Sequence, residues 1–345
     1  MAPRNDARRC LGARADHVRG VIASIAFHRF RALRDTSVLL APFNLVVGPN
    51  GSGKTSLMEA ILRLRTLAAL PVSEVPFARA MAGPEIEFGF DAPFDGLRVK
   101  LGCESDAVCD TLRMEPARAE GWDDLRLRLA TLRGYVLDHD ALAGPGRRDD
   151  GAELARDGGN LAAVLSHFRA EHPAAFAALV AEALRLMPEF RALRIEDRPE
   201  GQVELSLELV EGAVLPAPEL SQGTLYLLGL LALAFDPRPP RLLCIEEIDR
   251  GIHPRMLREV RDLLYRLAYP VDGREPVQVL TTSHSPYFID LFRDHPEEVI
   301  ISQKAGRAAR FERLSDRPDL PELLREGSLG DMWFSGILGG IPEER

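Results

Sequence analysis

Gly48-Pro49-Asn50-Gly51-Ser52-Gly53-Lys54-Thr55 fits the pattern G-x-x-x-x-G-K-[ST], and its flanks fit the context that pattern needs. Phe43-Asn44-Leu45-Val46-Val47 before it is a short apolar run of the kind that makes a buried parallel strand. Ser56-Leu57-Met58-Glu59-Ala60-Ile61-Leu62 after it places Leu57, Met58, Ile61 and Leu62 on one helical face. Strand, glycine loop and helix are the parts of a phosphate cradle. Glycines let the backbone curl with its N–H groups turned inward, and the helix N-terminus adds partial positive charge. Lys54 is placed to reach β- and γ-phosphates, and the Thr55 hydroxyl to hold Mg²⁺. The chain is rich in arginine, yet lysine stands at Lys54, with only Lys100 and Lys304 besides. A compact ammonium on a flexible stem suits such a loop better than a planar guanidinium.

The 345 residues are enough for one large domain or two small ones, and 46% hydrophobic with 28% charged residues is a globular composition. A net charge of −9 gives nucleic-acid binding no support, while leaving a local basic patch open. Cys10, Cys103, Cys109 and Cys244 show no metal-ligand spacing; Cys244 lies in an apolar run and reads as core, and a reducing cytoplasm is expected. Leu225 to Phe235, the longest apolar run, falls short of the ~20 residues of a membrane span and reads as a buried helix. Residues 1–20 carry five arginines without an apolar core, so they read as a flexible tail or as lying upstream of the true start.

In chain order, Val21–Phe27 and Thr36–Leu40 read as strands, and the helix after the phosphate loop runs to about Arg65. Glu85–Phe90 and Gly96–Leu101 alternate at period two after the Gly83-Pro84 turn, which predicts a hairpin. Glu104–Gly159 shows little periodicity; its Asp138-His139-Asp140 has the donors of a metal site but reads better as a solvated turn. Leu161–Arg169 and Pro173–Leu186 read as helices, and Val203, Leu205, Leu207 and Leu209 mark an amphipathic strand.

Further on, Leu242-Leu243-Cys244-Ile245-Glu246-Glu247 is an apolar strand ending in two acids, a Walker B form. Glu246 can approach a metal held by Thr55, and Glu247 can polarise an attacking water. Adjacent strand residues point to opposite faces, but at a strand end the chain is already turning, so both acids can reach the phosphate side. Val277–Thr282 is a second buried strand, and His284 just beyond it is placed to donate to a γ-phosphate. Leu220-Ser221-Gln222-Gly223-Thr224 begins the apolar helix, where Ser221 as N-cap and Gly223 make a second anion-receptive terminus. One chain has no need of two cradles; a head-to-tail dimer has.

These residues together resemble the ABC-type ATPases, in their RecF/SMC-like and OLD-like branch of stand-alone bacterial AAA-family ATPases. The likeness rests on Phe30-Arg31, GPNGSGKT at Gly48, LSQGT at Leu220, IEEIDRGIHP at Ile245 and TTSHSPYFIDLF at Thr281. DGGNLAAVL from Asp157 and LGDMWFSGILGG from Leu329 are similar to segments of its stand-alone members. The resemblance implies that Gly48 to Ser56 bind ATP and that Thr55 and Glu246 hold Mg²⁺. It makes Glu247 the general base, with Lys54 and His284 at the γ-phosphate. Ser221 and Gly223 then contact ATP across a homodimer, and Arg31 contacts the nucleotide. The chain departs from the family's E-E-P-E-N in reading Glu246-Glu247-Ile248-Asp249-Arg250, and no lid glutamine is placed. Only about 150 residues without heptads separate the phosphate loop's helix from Leu220, unlike the long coiled coils of SMC proteins. Nor does the stretch after His284 carry an acidic cluster suited to a Toprim nuclease.

The expected fold is therefore α/β: a P-loop ATPase head with a mixed central sheet, an antiparallel β subdomain and a helical subdomain carrying the signature. Its parts are expected at 21–103 (P-loop lobe), 104–219 (inserted helical and β region), 220–300 (signature, acids and switch histidine) and 301–345 (a C-terminal tail). The expected function is a cytoplasmic, Mg²⁺-dependent ATPase switch in DNA maintenance or anti-phage defence, working with an effector such as a nuclease in trans. Residues 104–159 and the Gly-rich end are expected to meet that partner. The weighed alternatives are the ATP-hydrolysing subunit of a membrane transporter, whose usual LSGGQ is here LSQGT, and a small-molecule kinase, which leaves Ser221, Glu247 and His284 without roles.

Overall fold

Alternation over Ile22–His28 (β1) and Thr36–Leu39 (β2) builds the first strands, and the apolar run Phe43–Val47 (β3) is buried at every position. The computed structural model describes residues 20–70, 83–105, 108–116, 120–271, 273–306 and 308–339, so the expected N-terminal tail lies, but for Gly20, outside the described residues. Helix α1 (Lys54–Ala68) buries Leu57, Met58, Ile61 and Leu64, while Leu62 is only half-buried. Glu85–Phe90 (β4) and Arg98–Cys103 (β5) form the predicted antiparallel hairpin, and Cys109–Glu115 (β6) extends it. The first sheet has the order β2-β1-β4-β5-β6. Cys103 and Cys109, which face each other across β5 and β6, form a disulfide. Inspection for metal spacing did not anticipate this, and cysteine usage therefore carries no argument about compartment.

The described residues of the stretch 104–159 hold more regular structure than their composition suggests. They include α2 (Trp122–Ala130), β7 (Arg133–Tyr135), α3 (His139–Ala143) and β8 (Gly146–Arg147). Asp138 caps α3 by accepting from the Ala141 N–H at 3.0 Å, so the Asp-His-Asp triplet is a helix start. Helices α4 (Leu161–Glu171) and α5 (Pro173–Leu186) follow as expected. Phe190–Asp197 (β9), Gln202–Leu209 (β10) and Val214–Pro216 (β11) build a small antiparallel sheet with β8.

The central sheet is completed by the last third of the chain. Helix α6 (Gln222–Ala234) leads to β12 (Leu242–Ile245), α7 (Leu257–Ala268), β13 (Gln278–Ser283) and α8 (Pro286–Asp290). Val299–Ala305 (β14) and Ala308–Arg313 (β15) follow, then Leu320–Glu326 (α9) and Leu329–Phe334 (α10). The strand order is β15-β14-β3-β13-β12-β7, parallel throughout except for the β14–β15 pair. Residues 301–339 are thus not a tail. Ile300 and Ile301 pair with Val46 and Val47 of the strand that feeds the phosphate loop. Sequence reading missed β14 because its apolar run is short and passes into the polar Ser302-Gln303-Lys304.

Period-two alternation gives the central sheet two apolar faces. Phe43, Leu45, Val47, Leu243 and Ile245 join one core, and Val46, Leu242, Cys244, Leu280 and Ile300 the other. Gln278, 1% exposed, ties β1 to this sheet: its Oε1 accepts from the Val21 and Ile22 N–H groups at 3.1 and 3.0 Å, and its Nε2 donates to the Ile22 and Ala41 carbonyls. Gln278→Leu leaves these buried groups unpaired and is expected to lower unfolding stability by about 2–4 kcal/mol in urea titration.

Candidate nucleotide site

Because β3, β13 and β12 are parallel neighbours, their carboxyl ends open onto one rim. The loop Gly48–Gly53 leaves β3 there, with Gly53 at φ 99, a conformation that side chains disfavour, immediately before α1. Lys54 folds back over the loop and donates to the Gly48 and Pro49 carbonyls at 2.7 and 3.0 Å. Burial pulls its pKa down to about 8, against the opposing pull of Glu247 and Glu246. Ser52 is fully buried under the loop, and its carbonyl accepts from the Ser302 hydroxyl of β14 at 2.5 Å.

A cavity of about 180 Å³ lies between this loop and the strand ends. Asn50, Gly51, Gly53, Lys54, Thr55 and Ser56 line it from the loop side, and Glu246, Glu247, Thr282 and His284 from the strand side. Both acids reach it because β12 ends at Ile245 and Glu247 turns left-handed, at φ 50. That conformation costs a non-glycine residue about 1–3 kcal/mol, so the surroundings must hold it. The Glu246 N–H is tied to the Tyr135 carbonyl, the Glu247 N–H to Thr282 Oγ1 and the Ile248 N–H to the Thr282 carbonyl, at 2.9, 2.9 and 3.0 Å.

Thr55 Oγ1 donates to Glu246 Oε2 at 3.4 Å. Burial raises the Glu246 pKa, Glu247 adds to this, and Arg156 and the Thr55 hydrogen bond oppose it. A hydroxyl and a carboxylate this close are a hard-oxygen donor pair that fits Mg²⁺. Elsewhere among the described residues His28, Glu85 and Glu87 converge, but Arg113 and Lys100 already pair with the two carboxylates at 3.1 and 3.5 Å. His284 is held below the ordinary histidine range, first by burial and then by Lys54, with Asp249 and Glu247 opposing.

Arg31 also borders the cavity; it sits at φ 53, pairs with Glu59 at 2.6 Å and donates to Ser56 Oγ at 3.4 Å. Ser221 and Gly223 are not part of this lining. Ser221 caps α6 by accepting from the Thr224 N–H at 3.2 Å. A side chain on Gly223 would begin 2.6 Å from the Gly251 carbonyl, so α6 starts against the turn that follows the acids. Of the expected site residues, Asn50, Gly51, Gly53, Lys54, Thr55, Ser56, the two acids, His284 and Arg31 surround one cavity. Gly48, Pro49 and Ser52 belong to the same loop but not to its lining, and the Ser221 terminus lies apart. Motif reading missed Thr282, Ser302 and Lys304, whose Nζ lies 3.9 Å from where a Gly51 side chain would begin. The signal for Ser302 was faint: a polar residue continuing an apolar strand.

A family model described as an AAA domain, putative AbiEii toxin, Type IV TA system, matches residues 43–290, from the start of β3 to the end of α8. The chain belongs to that family. Among solved structures this AAA domain is similar to an SMC head bound to the C-terminal winged-helix domain of ScpA. The two share 17% identity at a TM-score of 0.58, covering 85% of this chain and 97% of that one. A Pyrococcus furiosus Smc head with an extended coiled coil, bound to the C-terminal domain of ScpA, gives 13% identity at a TM-score of 0.53. That match covers 88% of this chain and 99% of the other. At such identities the likeness shows the fold, and it is the α/β ATPase-head fold expected. No curated protein matches the sequence of this AAA domain. Among the described residues no helix is long and apolar enough to cross a membrane.

Lys54 gives this AAA domain a pH signature. Between about pH 8 and the usual lysine range, the unfolded chain holds a proton that the folded chain has released, so stability rises with pH across that window. Without nucleotide, the melting temperature of the natural chain is therefore expected to rise relative to that of Lys54→Met between pH 8 and 10, read by scanning calorimetry.

Proposed function

We propose that this chain is a Mg²⁺-dependent, ATP-hydrolysing switch that closes as a homodimer around two ATP molecules and opens after hydrolysis. The observation that carries the reading is the arrangement itself: a phosphate loop, two acids and a histidine around one cavity, with the Ser221 terminus held outside it. A second copy, placed head to tail, would bring its own Ser221 and Gly223 to that cavity.

In this reading backbone N–H groups of the Gly48–Ser56 loop and the Lys54 ammonium hold the phosphates, and Arg31 meets the nucleotide. Glu247, on the cavity and accessible to water, takes the proton of the attacking water as its oxygen bonds to the γ-phosphorus and the bond to the ADP oxygen breaks. His284 donates a hydrogen bond to the γ-phosphate. Thr55 and Glu246 would hold Mg²⁺, which supplies neutralisation of phosphate charge. The family description, a putative toxin of a type IV toxin–antitoxin system, and the ScpA-bound heads favour a switch read out by a protein effector. Anti-phage defence or DNA maintenance in the cytoplasm is the setting proposed for it. A partner nuclease acting in trans suits a chain whose own cavity is built for phosphate.

Glu247→Gln keeps the shape and removes the base. It is expected to lower phosphate release by about 10²–10⁴-fold and to accumulate an ATP-bound dimer, seen by size-exclusion chromatography with light scattering. A variant that stays monomeric at saturating MgATP contradicts the proposal.

A further inference from the structure

Thr282 grips the acid-bearing turn at two points. It is 3% exposed, borders the cavity, and accepts two successive peptide N–H groups: Glu247 through its hydroxyl at 2.9 Å and Ile248 through its carbonyl at 3.0 Å. The chain is also tied on the near side of the bend, where the Thr281 hydroxyl donates to the Ile245 carbonyl at 3.0 Å. Regular pairing of β12 with β13 stops at Ile245–Thr281, so the Thr282 bonds replace the ladder where the backbone leaves it.

Glu247 needs that replacement. At φ 50 it occupies a region disfavoured for a residue with a side chain. In extended backbone it would continue the strand's alternation and send its carboxylate away from the face that Glu246 occupies. The Thr282 hydroxyl presents an acceptor where the turned peptide N–H arrives, in a part-buried position, and losing that acceptor removes a bond that holds the turn. We propose that Thr282 is a positioning residue for ATP hydrolysis: its hydroxyl fixes the left-handed turn that keeps the Glu247 carboxylate on the cavity. The inference rests on the reading of Glu247 as the base.

The test compares steady-state phosphate release and ATP affinity of the full chain carrying Thr282→Val or Thr282→Ser. Valine keeps the branched shape and removes the acceptor. Thr282→Val is expected to lower kcat by about 10²-fold while KM for ATP stays within about twofold, because the phosphate loop is untouched. Thr282→Ser, which restores the acceptor, is expected to recover most of that loss. Added to Glu247→Gln, Thr282→Val is expected to cost nothing further, since both act through one group. Should Thr282→Val lose its thermal transition, Thr282→Ala takes its place with the same expectation. Thr282→Val with natural kcat, a loss confined to KM, or Thr282→Ser as inactive as valine each overturns the inference alone. A natural chain that releases no phosphate overturns the reading of Glu247 and this inference with it.

Discussion

The parallel pairing of β3, β13 and β12 is the constraint on which the site depends. Each strand is buried, each is tied to its neighbour by main-chain hydrogen bonds, and all three end on the same rim. The registers Ile245↔Thr281 and Val47↔Ser283 bring the loop after β3, the turn after β12 and the residues after β13 together. Parallel strands require long crossovers, so the chain between them is free to carry helices, the small sheets and the Ser221 terminus without disturbing the rim. Strand β14 braces the arrangement from the far side, through its pairing with β3 and the Ser302 bond to the loop.

Part of the local backbone strain lies where the chemistry is proposed, while Arg29, Asp35 and Glu200 carry positive φ away from the cavity lining. Glu247 and Arg31 both adopt positive φ without being glycine, and both border the cavity. Each is held by specific partners, Thr282 for the first, Glu59 and Ser56 for the second. The turn at Glu247 resolves how two adjacent residues of a strand end can serve one cavity.

Much of this was legible in the sequence where a pattern has a period or a motif a fixed spacing. The strand Phe43–Val47, the hairpin of β4 and β5, the helix beginning at Pro173 and the Ser221 cap were read from such signals. The loop, both acids and His284 were read from motifs, and the structure brings them to one cavity. Three-residue β7 is too short to show alternation, although it flanks Glu246. Strand β14 was hidden by its polar end, and the Thr282 and Ser302 hydroxyls act on backbone groups that no side-chain pattern records. The Cys103–Cys109 pairing depends on strand register, which spacing alone does not give.

Ser221 lies apart from the cavity of its own chain, and in the proposed function the site is one shared between two chains. The direct measurement is complementation between two variants: Lys54→Ala, which spoils the phosphate loop, and Ser221→Ala, which spoils the opposite terminus. Each alone is expected to be inactive in phosphate release. In a mixture, the intact loop of the Ser221→Ala chain meets the intact Ser221 of the Lys54→Ala chain, so activity is expected to return. A mixture as inactive as its components, or a Ser221→Ala chain with the natural rate, would contradict a site built from two chains.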